Sequence, residues 1–180
     1  MESEQQLWQD LRNGERKAQR RLYERYAGYA MATALRYTGQ REQAEDVVHD
    51  AFVQVLTNLD HFDFRGEGSL RRWVMRIVAN RAADYVRAHE RLLFTDEVPD
   101  RGDSDEEPPA EVPPEVLTAM IARLPAGCRL VLNLYVFEHY THREIARRLG
   151  IKERSSASQL ARARQMLQAM FKQYLEQQER

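Results

Sequence analysis

At 180 residues, 43% hydrophobic and a net charge of -1, the chain has the make-up of ordinary globular material, enough for one large domain or two small ones. No apolar run approaches the roughly 20 residues that cross a bilayer, and the opening MESEQQLWQD lacks the basic and apolar parts of a signal peptide. A cytoplasmic location without direct membrane insertion is therefore expected. The single cysteine, Cys128, excludes an intrachain disulfide and a Cys-based zinc site, and reads as a small buried apolar residue.

The near-neutral total hides a strong separation of charge. Between Asp96 and Glu115 there are nine acids against one base, Arg101, which leaves 26 bases against 19 acids on the rest of the chain. The same stretch, DEVPDRGDSDEEPPAEVPPE, holds five of the six prolines and almost no large apolar residues, so it is unable to build a core. It reads as a flexible linker over 94–114 between two basic halves, 1–93 and 115–180.

Both halves carry helical periodicity. Ser3 with Gln6 marks the start of a first short helix. Over Glu15 to Thr38, Leu22, Tyr26, Tyr29, Thr33 and Tyr37 recur at helical spacing, and Gly39 supplies a stop. A third helix, Arg41 to Leu56, buries Ala44, Val47, Val48, Ala51, Phe52 and Val55, which leaves Glu42, Asp46, His49, Asp50 and Val53 as a stripe on its other face. Spacing alone is equally content with a solvated face there.

The loop LDHFDFRGEGS sets Phe62 and Phe64 beside Arg65, Gly66 and Gly68. Such aromatics either fold back into a local core or stack on unpaired bases. Ser69 is placed to cap the next helix, LRRWVMRIVANRAADYVRAHERLL, with Leu70, Trp73, Val74, Ile77, Val78, Tyr85 and Val86 on its apolar side. Arg71, Arg72, Arg76, Asn80, Arg81, Asp84 and Arg87 remain for the other, an electropositive surface suited to a phosphate backbone.

Beyond the linker, Leu130, Val131, Leu134, Val136 and Phe137 look like core helix. Thr141 and Glu144 complete a capping box, the helix HREIARRL follows with Ile145, Ala146 and Leu149 inward, and Gly150 ends it before another helix begins near Glu153. This is the helix-turn-helix pattern. On a wheel with Leu160 at zero, Leu167 and Phe171 define the buried side, whereas Ser155, Ser158 and Arg162 fall at about 160 to 220 degrees. Ser155, Ser158, Gln159 and Arg162 are thus expected to face outward, and Ser156 and Ala157 to turn toward the core. Arg164, only about 40 degrees from Leu160, suits a phosphate better than a base.

Taken together, RLYERYAGYAMATALRYTGQREQAEDVVHDAFVQVL, FDFRGEGSLRRWVMRIVANRAADYVRAHER and LPAGCRLVLNLYVFEHYTHREIARRLGIKERSSASQLARARQML resemble regions 2 and 4 of a bacterial extracytoplasmic function sigma factor. The resemblance implies an all-α fold of two small helical domains. It also implies core RNA polymerase as a partner, contacted at its clamp helices and flap, and promoter DNA as a second. Asp46, His49, Asp50 and Val53 would dock on the clamp helices. Phe62, Phe64, Arg65, Ser69, Arg72, Arg76, Asn80, Asp84 and Arg87 would meet the minus-ten element, where the loop holds a flipped base of the opened strand. Arg154, Ser155, Ser158, Gln159, Arg162 and Arg164 would meet the minus-thirty-five element in the major groove. The acidic linker would pass through the polymerase as a mimic of a phosphate chain, and an anti-sigma factor is a further partner that the resemblance admits. His49 stands where the family usually has Gln, while Ala157 and Ala161 stand where larger or basic residues are common.

A stand-alone helix-turn-helix regulator explains the C-terminal half but leaves the Asp46 face and the Phe62 loop unused. An enzyme is disfavoured: the five histidines show no ligand spacing and no phosphate-cradling Gly-rich motif precedes a helix. No cofactor, metal or small-molecule substrate is expected.

Overall fold

The computed structural model describes residues 2–94 and 112–178. The expected linker at 94–114 falls almost entirely outside them. The chain divides into two compact units, Met1–Tyr85 and Val86–Arg180. Both are helical, and the described residues contain eight α-helices and no strand.

The first unit contains α1 (Glu4–Arg12), α2 (Arg16–Thr38), α3 (Arg41–Thr57) and most of α4 (Ser69–His89). Ser3 caps α1, its side chain accepting from the Gln6 N–H at 3.1 Å. Helix α2 buries Leu22, Tyr26, Thr33 and Tyr37 as the spacing requires. Tyr29 departs from that pattern: it is 51% exposed, with the Arg71 guanidinium 4.1 Å from its ring centroid. A cation lying on the ring face gives Tyr29 a partner outside the core. Gly39 ends α2 with φ of 72°, a left-handed cap that only glycine adopts without strain. Helix α3 packs on α2, and all six residues expected to be buried, Ala44, Val47, Val48, Ala51, Phe52 and Val55, are buried.

The second unit contains α5 (Pro114–Ala122), α6 (Ala126–Leu132), α7 (His142–Leu149) and α8 (Glu153–Gln178). Helix α6 runs on into a π-helical turn, Asn133–Phe137. That turn takes in an extra residue and rotates the faces after it, so Leu134 stays buried while Val136, expected in the core, is 40% exposed. Thr141 and Glu144 form the full capping box, and Gly150 closes α7 at φ of 67°. Helix α8 packs against α5, α6 and α7, with Leu160, Leu167 and Phe171 buried.

Candidate functional site

On α3 the stripe stands in solvent. Asp46, His49, Asp50 and Val53 are all exposed, Val53 at 50%. Beside it the surface dips into a groove of about 310 Å³ between α2 and α3, lined by Tyr23, Met31, Val48, Phe52, Val53 and Leu56. An acidic ridge thus borders an exposed apolar trough, the arrangement of a docking face with a greasy centre and charged rim.

In the loop before α4 the aromatics fold inward. Phe62 is only 7% exposed and lies 4.9 Å from Trp73 and 6.3 Å from Trp8, between ring centroids. Phe64 is half-buried and stacks on Trp8 at 5.7 Å. Phe62 therefore builds the loop's floor, and Phe64 is the more accessible ring. Ser69 has a different job from the one expected: its hydroxyl donates to Gly66 O at 2.6 Å and accepts from Arg65 N–H at 3.2 Å, tying the loop shut.

The N-terminus of α4 is capped from a distance. The Glu4 carboxylate accepts from Leu70 N–H (3.2 Å) and Arg71 N–H (3.3 Å), and also from the Tyr26 hydroxyl (2.7 Å). Glu67 in the loop answers by accepting from Glu4 N–H at 3.1 and 3.2 Å, which caps α1. Each helix start thus receives a carboxylate from the other's segment, which pairs Glu4 N–H on α1 and Leu70 and Arg71 N–H on α4. Burial and the Glu4 carboxylate together push the Tyr26 hydroxyl well above its ordinary value. No residue spacing signals this pairing, because the partners lie 63 to 67 positions apart.

Arg65 in the loop and Arg71, Arg72, Arg76, Arg81 and Arg87 along α4 are exposed together with Asp84, and Asn80 is half-buried. The apolar side is buried through Leu70, Val74, Ile77, Val78 and Val86. The expected separation of a basic face from a core face holds.

On α8 the outward set differs from the expectation. Ser155, Ser158 and Gln159 are 5%, 0% and 2% exposed, whereas Ala157 is exposed rather than turned inward. Ser156 is buried as expected, its hydroxyl 3.0 Å from His142 Nδ1 on α7. Gln159 explains the difference on its flank. Its side chain donates to Leu93 O at 3.1 Å and accepts from the Cys128 thiol at 3.0 Å, so it is held between α6 and the segment after α4. Burial pushes the Cys128 thiol up, with Arg162 nearby opposing. Arg154, Ala157 and Arg164 are exposed and Ala161 and Arg162 half-exposed, a strip that keeps arginines outermost.

The description "Sigma-70 region 2" matches residues 22–92, and "Sigma-70, region 4" matches residues 115–167. The RNA polymerase sigma factor NccH of Alcaligenes xylosoxydans xylosoxydans is 30% identical over 168 residues, covering 88% of this chain and 89% of that protein. The ECF RNA polymerase sigma factor SigM of Bacillus subtilis is 26% identical, covering 83% and 93% respectively. The RNA polymerase sigma-H factor of Pseudomonas aeruginosa is also 26% identical, covering 92% of each. A solved structure of CnrH in complex with the cytosolic domain of CnrY aligns at a TM-score of 0.47 and 26% identity, covering 92% of this chain and 95% of that one.

The chain belongs to the sigma-70 family of RNA polymerase sigma factors, as a member of its extracytoplasmic function class. Its function is that of a transcription initiation factor. A stand-alone regulator would carry the region 4 match but not the region 2 match that precedes it.

Proposed function

We propose a division of labour among the three surfaces. The α3 stripe of Asp46, His49, Asp50 and Val53, with the apolar groove beside it, docks on the clamp helices of the large subunit of core polymerase. The observation that carries this reading is that a face spared from the core is both acidic and contiguous with exposed apolar surface. The loop from Phe62 to Ser69 and the arginine face of α4 take the opened strand of the minus-ten element. Phe64, Arg65, Arg72 and Arg76 make its contacts, and Asn80, Asp84 and Arg87 continue along the strand. Phe62 and Ser69 act beneath the surface, as floor and tie.

In the second unit, Arg154, Arg162 and Arg164 supply phosphate contacts at the minus-thirty-five element, with Ala157 and Ala161 nearest the bases. Ser155, Ser158 and Gln159 support that helix rather than read DNA in this conformation. A groove of about 190 Å³ between α5 and α8, lined by Val116, Met120, Met170 and Tyr174, receives the polymerase flap. The polymerase performs the chemistry and the chain acts beside it in the cytoplasm. Among the described residues no helix is long and apolar enough to cross a membrane.

Gel filtration with core polymerase tests this assignment. Wild type and Arg162→Ala should co-elute with the enzyme, whereas Asp46→Arg should lose it by about a hundredfold in affinity. Equal loss in both variants would contradict the division.

A further inference from the structure

The site for the opened strand rests on a helix that no family match assigns to it. The region 2 match begins at residue 22, whereas Glu4 and Trp8 lie on α1. Glu4 is 3% exposed, yet it is a carboxylate, and burying one requires full compensation. It receives that compensation from Leu70 N–H, Arg71 N–H and the Tyr26 hydroxyl, two of which open the helix behind the loop. Trp8 presents its ring to both Phe62 and Phe64. Its indole N–H is buried and has no acceptor among the described residues.

Within itself the loop is held chiefly by the Ser69 tie. Gly66 and Gly68 adopt φ of 99° and 83°, and of its side chains only Phe62 and Ser69 are buried. Left alone, such a segment loses much conformational freedom when it closes on a ligand. Contacts from α1 remove that loss in advance. Because the Glu4 carboxylate occupies the first amides of α4, those amides are also unavailable to a DNA phosphate, which directs the backbone to the arginines instead.

We propose that Glu4 is a positioning residue for strand capture, acting with Trp8 to hold the Phe62–Ser69 loop in its base-binding conformation. The proposal rests on the assignment of that loop to the minus-ten strand. Two measurements separate the proposal from the assignment. In the free chain, Glu4→Ala should speed amide hydrogen exchange at Arg65, Leu70 and Arg71 by about tenfold or more while leaving α3 unchanged. In the complex with core polymerase, the same variant should weaken capture of a single-stranded nontemplate oligonucleotide by about tenfold, read by 2-aminopurine at the flipped position, with polymerase affinity within about twofold of wild type.

Trp8→Phe, which keeps the stack and removes the unpaired N–H, should retain capture, and Trp8→Ala should lose it. Unchanged exchange in Glu4→Ala would overturn the proposal without touching the loop's assignment. Faster exchange with unchanged capture would overturn it as well, as would a parallel loss of polymerase affinity. A wild-type complex that captures no strand would overturn the assignment and the proposal with it, while the exchange result would still report what Glu4 holds.

Discussion

Helices α3 and α8 each bury one apolar stripe, but they treat their polar residues oppositely. Helix α3 packs on α2 and leaves Asp46, His49 and Asp50 in solvent. Helix α8 has α5, α6 and α7 as neighbours and also meets the backbone of Leu93, and it buries Ser155, Ser156, Ser158 and Gln159. Helix α3 turns one face to the core, that of Ala44, Val47, Val48, Ala51, Phe52 and Val55. On α8, with several neighbours, short hydroxyls and an amide are drawn into the packing, provided each finds a partner. The exposed face of α3 therefore carries its acidic residues at no cost to the fold, whereas the polar residues of α8 serve the fold first.

The contrast is broken most forcefully at Arg129 on α6. Its side chain is 7% exposed and donates to Ala122 O (3.1 Å), Leu124 O (3.0 Å) and both oxygens of Glu90 (2.7 Å each). Arg129→Leu should destabilise the second unit by about 3–5 kcal/mol in urea melts, because it strands a carboxylate and two carbonyls, and adding Glu90→Leu should recover part of the loss. On α3, Asp46→Arg should stay within about 0.5 kcal/mol of wild type in the same melts, since nothing there is buried.

A second pair of variants sharpens which side of α8 is which. Ser158→Arg forces a guanidinium into a position with no exposed surface and should cost about 3 kcal/mol or more. Ala157→Arg, one residue earlier, should leave stability within about 0.5 kcal/mol. It should instead tighten binding of the minus-thirty-five duplex by the polymerase complex in a salt-dependent way. The reverse outcome would restore the wheel's original orientation.

The smallest effect concerns pH. His142 stacks on Tyr135 at 4.5 Å and meets Ser156, and burial holds its pKa below the ordinary 6.5, with Arg164 adding to the effect and Glu153 opposing it. The unfolded chain therefore binds the proton more readily. The contribution is fully present above about pH 6.5 and is lost as pH falls through the lower folded-state value. Melts of wild type and His142→Gln between pH 7.5 and 5 should converge on acidification, the wild type losing more.

What the sequence makes legible follows the range of the interaction. The Thr141–Glu144 box, the glycines at 39 and 150 and the core of α3 are decided within one or two turns, and the structure agrees with each. Local periodicity has no access to what lies across a helix. Tyr29 fits the buried spacing but meets Arg71, and Val136 fits it until a π turn rotates the face. Ser155 and Ser158 lie opposite Leu160 on the wheel, yet both are buried. The Glu4–Glu67 exchange of caps is invisible for the same reason, since it joins segments more than sixty residues apart.

Initiation itself is the most direct test of the central claim. Core polymerase supplied with this chain should begin transcripts at a discrete set of promoters on genomic DNA, and those transcripts should disappear with Asp46→Arg while their selection blurs with Arg162→Ala. Core polymerase that gains no specific start sites from the wild-type chain would contradict the account.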